Sequence, residues 1–103
     1  MASLYLQARL KVKYGQVPAF MDTMAQARPL VELHGWRLLG AWGTVIGNFH
    51  EITHLWEIAD ADAVPAVLGA LGADPAFAPL VGGFAEQVEE EVLTVLAKTP
   101  YSP

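Results

Sequence analysis

Two histidines in the middle of the chain are the side chains best suited to acid–base chemistry. His50 and His54 alternate with apolar residues in a stretch rich in β-branched and aromatic side chains, so we expect both on one face of a strand. Burial of His54 beside Trp56 would lower its pKa and keep the imidazole neutral, ready to accept a proton. His54 is therefore the first candidate for a catalytic base. The alternative is a core histidine that is hydrogen-bonded within the sheet or across a dimer.

His50 is the second catalytic candidate, but it cannot share a metal ion with His54. Four residues of strand at about 3.3 Å each place the two side chains about 13 Å apart. The chain has no cysteine, which excludes disulfides, thiolate nucleophiles and cysteine-ligated metals, and no carboxylate spacing completes a metal site. We therefore predict no metal, and expect His50 to be a polar residue beside a turn or a titratable group near a pocket mouth.

Carboxylates near these histidines do not form an acid–base pair within one chain. Glu51 and Glu57 are six residues apart, about 20 Å along a strand. We expect Glu51 instead to stabilise the adjacent turn at Gly47 through backbone hydrogen bonds. The run Glu89-Glu90-Glu91 is typical of a solvated edge or of the exposed face of a terminal helix.

Aromatic and sulfur-containing side chains are numerous enough to line an apolar ligand pocket. The candidates are Trp36, Trp42, Trp56, Phe20, Met24 and Phe77. Such residues also form ordinary protein cores, and the sequence does not choose between the two roles. Phosphate-binding loops, serine nucleophile elbows and nucleotide fingerprints are absent from the sequence, so we predict no cofactor.

The composition is typical of one small domain with more apolar surface than it can bury alone. Of 103 residues, 53% are hydrophobic and 17% are charged, an excess that predicts burial against a partner. The formal net charge of -5 disfavours nucleic acid as that partner. With no apolar run of about 20 residues and no secretory signal, we expect a cytoplasmic protein that does not enter the membrane.

Four stretches have strand patterns. Leu4–Val12 alternates strictly, with every second residue apolar. Segments 36–46 and 49–58 are expected to form a hairpin around Gly47, with Trp36 and Trp42 on one face of its first strand. A fourth strand is predicted over 87–97, with Val88 on the face of Glu90, although residues 84–91 could instead prolong the preceding helix.

Two helical regions separate these strands. The first begins at Val17 with apolar residues at helical spacing, should bend or be interrupted at Pro29, and ends at Gly35. The second is expected to close at Gly72, and a further short helix from Asp74 to end at Gly82-Gly83. The order predicts an α+β, ferredoxin-like β-α-β-β-α-β fold with a four-stranded antiparallel sheet.

Four segments of the sequence resemble the NIPSNAP family. They are residues 33–42, 46–56, 71–77 and 99–103. The second is the most specific, because it joins a glycine turn, an asparagine and glutamate, and a His-Leu-Trp strand. Judged from the order and spacing of the four segments, the resemblance covers nearly the whole chain, residues 4–103. The chain is thus similar to a single NIPSNAP-like domain of the dimeric α+β-barrel superfamily.

This resemblance implies a sheet with its own helices on one face and a second subunit on the other. It implies no particular reaction, since relatives of the fold include cofactor-independent monooxygenases, haem-degrading enzymes, isomerases and binding proteins. The family commonly carries charged or polar side chains on one face of the first strand, where this sequence has Leu6, Ala8 and Leu10, and arginines on the second helix, where it has Val64 and Leu68. We therefore expect a ligand more hydrophobic than is usual for the family.

We expect a homodimeric, cofactor-independent enzyme that uses general acid–base chemistry, of isomerase, cyclase or monooxygenase type. Its substrate would be a small hydrophobic or aromatic metabolite, such as one of secondary metabolism. The alternative is a non-catalytic ligand-binding or accessory protein of the same fold, and a haem-binding variant is a third hypothesis. Tyr5, Gln7 and Arg9 either meet the partner subunit or line the cavity.

Overall fold

A computed structural model describes residues 3–103, which form a four-stranded antiparallel sheet with helices packed on one face. The strands are β1 (Leu4–Val12), β2 (Arg37–Gly43), β3 (Glu51–Ile58) and β4 (Val88–Leu96), and the helices are α1 (Val17–Leu33), α2 (Ala63–Ala73) and α3 (Ala78–Gln87). The order in the sheet is β2-β3-β1-β4. This arrangement confirms the predicted ferredoxin-like α+β fold, with the last helical region divided in two.

The two central strands separate a covered face of the sheet from a helix-free face. On β1, Leu6, Leu10 and Val12 are buried, as the alternating pattern predicts. On β3 the buried positions are Ile52, His54, Trp56 and Ile58. The intervening residues of both strands lie on the helix-free face, so the bounds and inward face predicted for β1 are confirmed.

The β2–β3 hairpin is shorter than predicted. Strands expected over 36–46 and 49–58 are Arg37–Gly43 and Glu51–Ile58. Gly47 lies in the turn with φ 126°, a left-handed value that favours glycine. The expected extension of the third strand through His50 is wrong, because that residue belongs to the turn.

A β-bulge in β2 changes which side chains share a face. Leu38 is opposite Trp56, but Gly40 is opposite Leu55, so Leu39 is an extra residue on β2. One extra residue transfers everything beyond it to the other face of the sheet. The prediction that Trp36 and Trp42 share a face is therefore wrong.

A second bulge lies where β4 begins. Lys11 is opposite Glu90 and Val12 is opposite Val88, which leaves Glu89 unpaired between them. Val88 therefore faces the helices and packs in the core, not on the face of Glu90 as predicted. From Glu90 onward the strand alternates regularly.

Helix α1 runs through Pro29 without interruption, contrary to prediction. Ala27 and Val31, buried on either side of the proline, hold this part of the helix against the sheet. Gly35, with φ 125°, follows the helix end as expected. None of the helices in residues 3–103 is by itself long and apolar enough to cross a bilayer; α2 and α3 pass that test only as a pair, bent by 113° at their junction.

A turn at Asp74 separates α2 from α3. The Ala76 N–H donates to Asp74 Oδ1 at 2.8 Å, and α2 continues one residue past Gly72, where it was predicted to close. His34 Nε2 donates to the other carboxylate oxygen of Asp74, also at 2.8 Å. These hydrogen bonds lower the pKa of Asp74, the one from His34 most strongly. The end of α1 is thereby joined to the α2–α3 connection.

Helix α3 passes through Gly82-Gly83, where it was predicted to end, and continues to Gln87. A Cβ at Gly83 would lie 3.3 Å from Thr23 Oγ1, so the glycine allows α3 to approach α1 closely. Across that contact Gln87 Nε2 donates to Thr23 Oγ1 at 2.9 Å, and both residues are buried. The glycine pair therefore allows α3 to pack closely against α1 and does not end the helix. Residues 84–87 belong to α3, and residues 88–91 belong to β4.

The buried hydrogen bond between α1 and α3 should stabilise the fold measurably. Thr23→Val removes the acceptor and leaves the Gln87 amide buried without it, at an expected cost of about 1–3 kcal/mol in the free energy of unfolding. Urea denaturation measures this cost. The double variant Thr23→Val/Gln87→Leu should recover most of the loss, since both polar partners are then removed. An unchanged midpoint for the single variant would contradict the contact.

The contribution of Asp74 to stability should depend on pH. Because its pKa is lowered in the folded protein, its stabilising effect is present above the ordinary value of 3.8 and is lost as pH falls through the lowered value. Asp74→Asn should therefore be less stable than the unsubstituted protein at pH 7, with the difference vanishing in strong acid. Urea midpoints between pH 2 and pH 7 test this, with Asp22→Asn on α1 as control. If Asp74→Asn stays less stable than the unsubstituted protein at pH 2, the ionised Asp74 carboxylate is not the source of the stabilisation.

Candidate functional site

An apolar cavity of about 440 Å³ lies between the covered face of the sheet and the helices. Its volume is within the range of pockets that hold small molecules. Its walls are mainly aromatic and aliphatic side chains from β1, β3, β4 and the helices. They include Trp36, Trp56, Met24, Leu71, Phe77 and Phe84.

Space for this cavity comes from small residues above and below it. Ala8 on β1 is opposite both His54 on β3 and Leu93 on β4, so the middle of the sheet carries only a methyl group there. On the facing helix α1, Ala27 is fully buried and also lines the cavity. A larger side chain at either position would fill the volume that a ligand needs.

His54 projects from β3 into the cavity wall and is 4% exposed. Its ring stacks on Phe20 with centroids 6.2 Å apart and meets the edge of Trp56 at 6.0 Å. Burial lowers the pKa of His54, which favours the neutral imidazole. No side-chain hydrogen bond among residues 3–103 involves this ring.

Glu91 is a second ionisable side chain in the cavity, and sequence reasoning missed it. It lies opposite Leu10 on the covered face, whereas Glu90 lies on the helix-free face. Burial raises the pKa of Glu91, although the residue as a whole is exposed. The sequence feature that could have identified Glu91 is its spacing of two from the apolar residues Leu93 and Val95. The neighbouring Glu89 and Glu90 made this alternation hard to recognise.

The cavity opens between β4 and the helices α2 and α3. Three of its apolar lining residues are substantially exposed there: Leu68 at 46%, Val81 at 50% and Leu93 at 37%. Since β4 is an edge strand, no further strand covers this side among the described residues. A ligand can therefore reach His54 through an apolar entrance that passes Glu91.

The structure brings together four of the six predicted pocket residues: Trp36, Trp56, Met24 and Phe77 line the cavity. The indole N–H of Trp36 donates to the Ala63 carbonyl at 2.9 Å, which fixes that ring. Phe20 is fully buried behind His54 and supports its ring.

Trp42 is not part of this cavity wall. Beyond the bulge it is opposite Thr53, on the helix-free face, and its indole lies over Gly40. It is 54% exposed there. Trp42 also borders a smaller cavity of about 180 Å³ whose lining includes Phe20, Met24 and His54.

His50 lies away from His54, at a second, more polar cavity of about 520 Å³. Its ring packs against Tyr14 with centroids 5.1 Å apart. Glu51 at this cavity accepts a hydrogen bond from Arg9 Nε at 3.1 Å, and this contact lowers its pKa. The main chain of Glu51 stabilises the turn, since its N–H donates to the Asn48 carbonyl. The structure thus separates the two predicted catalytic histidines.

No group of three or more potential metal ligands lies close together in the part of the chain that the structure describes, residues 3–103. The two ionisable side chains of the apolar cavity are an imidazole whose pKa is lowered by burial and a carboxyl group whose pKa is raised by burial. Such a pair can accept and donate protons inside an apolar enclosure.

Solved structures with this fold include several of similar sequence length. A NIPSNAP family protein of unknown function from Agrobacterium tumefaciens has a TM-score of 0.89 and 21% identity, with 99% of this chain and 93% of that chain covered. An uncharacterised NIPSNAP domain protein from Burkholderia xenovorans has a TM-score of 0.84 and 20% identity, covering 97% and 98%. A putative antibiotic biosynthesis monooxygenase from Nitrosomonas europaea has a TM-score of 0.69 and 8% identity, covering 92% and 97%.

At these identities the structural similarities establish the fold alone. A search of functionally curated proteins finds no significant match. The comparison with protein families, by contrast, matches residues 5–103 to NIPSNAP, which is nearly the whole chain. The resemblance inferred from the sequence segments is thus confirmed, and the chain belongs to the NIPSNAP family.

Proposed function

We propose that this protein is a homodimeric, cofactor-independent enzyme that transfers protons on a small apolar carbonyl compound bound between the sheet and the helices. His54 is the general base. The observation that carries the proposal is an imidazole that is buried in an apolar cavity wall and has no hydrogen-bond partner among residues 3–103. Aromatic or polyketide-like metabolites fit the character of the walls.

The state of His54 supports a role toward a ligand. Its ring makes no side-chain hydrogen bond among residues 3–103, yet neither ring nitrogen is among the fully enclosed unpaired atoms there, a condition found only for Gln87 Oε1. A ligand in the cavity could therefore hydrogen-bond to the imidazole without displacing a partner within the chain. The lowered pKa keeps the imidazole neutral at pH 7, which is the form that accepts a proton.

The reaction that suits this arrangement is removal of a proton from a carbon next to a carbonyl group. The His54 ring takes the proton, the C–H electron pair forms a carbon–carbon double bond, and the carbonyl oxygen becomes an enolate or, on protonation, an enol. Return of the proton to another carbon completes an isomerisation, and attack of the enolate carbon on a second carbonyl closes a ring. Where dioxygen is the co-substrate, the same carbanion can be oxygenated.

The helix-free face supports a dimer. Four of its apolar residues are exposed within one chain: Leu39, Trp42, Val92 and Leu96. Large apolar side chains exposed on one face of a sheet are candidates for an interaction site. Ion pairs on the same face, Arg9 with Glu51 and Arg37 with Glu57, lie among them. We infer that a second copy covers this face. The cytoplasmic location and the exclusion of nucleic acid and membrane stay predictions.

One observation favours the alternative of a non-catalytic ligand-binding protein. Catalytic bases are usually oriented by a hydrogen bond to a third group, whereas the His54 ring packs against Phe20 and Trp56 and makes no side-chain hydrogen bond among residues 3–103. A binding protein needs no such orientation. The two functions differ in turnover and not in affinity.

Deuterium exchange into 2-tetralone tests the proposed chemistry. In D₂O the protein should accelerate exchange at the carbons next to the carbonyl, followed by mass spectrometry. His54→Ala should reduce the rate by about 10²–10⁴-fold, the usual contribution of a general base. His50→Ala is the matched control and should leave the rate unchanged, since it lies in the turn. Saturable binding of 2-tetralone without accelerated exchange would reject catalysis and support the binding protein.

The exchange rate should also depend on pH in a defined direction. Only neutral His54 accepts a proton, so activity falls as pH decreases through its pKa. Because burial lowers that pKa, the loss should occur below the ordinary value of 6.5. Rates measured from pH 4 to pH 8 locate this transition. A transition above pH 6.5 would contradict a buried, uncharged base.

The dimer is tested by placing a charge on the helix-free face. Leu55 lies in the middle of β3, opposite Gln7 and Gly40. Leu55→Arg should convert a dimer into a monomer at micromolar concentration, as measured by sedimentation velocity. Leu33→Arg, at an exposed position at the end of α1, should leave the dimer intact. A monomeric unsubstituted protein would remove the dimer from the proposal.

A further inference from the structure

His54 and Glu91 are the two ionisable side chains lining the apolar cavity among the described residues. They project from β3 and β4, the strands on either side of β1. The helices contribute only apolar residues to the cavity lining, among them Met24, Leu71, Val81 and Phe84. The cavity therefore has two polar points, one on each side of its floor.

The register of the sheet sets the separation of these two points. His54 is opposite Ala8, and Glu91 is opposite Leu10, two residues further along β1. Two strand spacings across the sheet and two residues along it place their Cα atoms about 12 Å apart. The intervening floor is Ala8 and Leu10. The space between the two polar groups is therefore about as long as two fused rings.

Other charged groups do not interfere in this space. Glu90 and Arg9 lie on the helix-free face, and Lys11 pairs with Glu89 at 3.7 Å on the bulge. Burial lowers the pKa of His54 and raises that of Glu91, which is exposed at the cavity entrance. A carboxyl group accepts a hydrogen bond in either protonation state and also donates one when protonated, and a neutral imidazole can accept or donate one.

We propose that Glu91 is a second ligand-binding group, which together with His54 selects flat apolar molecules about two fused rings long with a polar atom at each end. One polar atom contacts His54 in the interior and the other contacts Glu91 at the entrance. This inference rests on the proposed function of the cavity as a small-molecule site. It adds a residue and a ligand geometry to that function.

The physical basis of the selection is the hydrogen bond that each polar group can make to a ligand. A ligand with one polar atom bonds to either His54 or Glu91, and a ligand with two adjacent polar atoms reaches only one of them. Sites built to hydrogen-bond a substrate group discriminate strongly against analogues that lack it. The site therefore selects ligands by the distance between their polar atoms.

Three naphthalene probes of equal ring size test the inference by isothermal titration calorimetry. Naphthalene-2,6-diol, with oxygens at opposite ends, should bind about tenfold more tightly than 2-naphthol, the gain expected from one added hydrogen bond. Naphthalene-2,3-diol, with adjacent oxygens, should show no such gain. The comparison isolates the spacing of the polar atoms from apolar contact.

Variants of the glutamates assign the effect to one residue. Glu91→Leu should abolish the advantage of the 2,6-diol, and Glu91→Gln should retain much of it because the amide still donates a hydrogen bond. Glu90→Leu is the control on the other face of the same strand and should keep the full advantage. Circular dichroism confirms that each variant is folded.

The outcomes separate this inference from the proposed function. Equal affinity for 2-naphthol and the 2,6-diol, or an advantage that survives Glu91→Leu, overturns the role of Glu91 while the cavity and His54 stand. Failure of all three probes to bind overturns the inference together with the apolar pocket. If the protein binds the probes but does not accelerate exchange into 2-tetralone, catalysis is rejected. The role of Glu91 is then decided by the affinities of the three naphthalene probes.

Discussion

The register of β1 between β3 and β4 is the constraint on which the rest of the structure depends. It places Ala8 between His54 and Leu93, and Leu10 beside Glu91. Because side chains alternate with a period of two, a slip of one residue would turn this entire set to the helix-free face. The cavity, its small floor and its two polar groups are therefore consequences of a single strand pairing, secured by the burial of the apolar side of β1.

The bulges at Leu39 and Glu89 adapt the outer strands to that central pairing. The extra residue at Leu39 places Trp42 on the helix-free face. The extra residue at Glu89 places Val88 on the covered face, where it packs in the core. Each bulge thus changes the chemistry of a face without changing the order of the strands. The helix-free face gains an aromatic side chain, while the covered face gains an apolar residue beside the cavity.

Apolar surroundings give the cavity its chemical character. Burial lowers the pKa of His54 and raises that of Glu91 because charges are poorly solvated there, and most of the lining side chains are aromatic or aliphatic. Solved structures at 8–22% identity to this chain share its fold, and a shared fold does not specify a reaction. What this member can do is set by the side chains on one face of its sheet.

Local pattern by itself determined the first strand, its inward face, the order of the elements and the family, because alternation and turn residues act over a few positions. It also marked His54 as a buried imidazole. Only the tertiary structure decided where the hairpin strands end, that Gly82-Gly83 continue a helix, and that Glu91 lines the larger apolar cavity with His54 while Trp42 does not. Those outcomes depend on pairing with distant strands and on close approach of α1 and α3, which no short window of sequence contains.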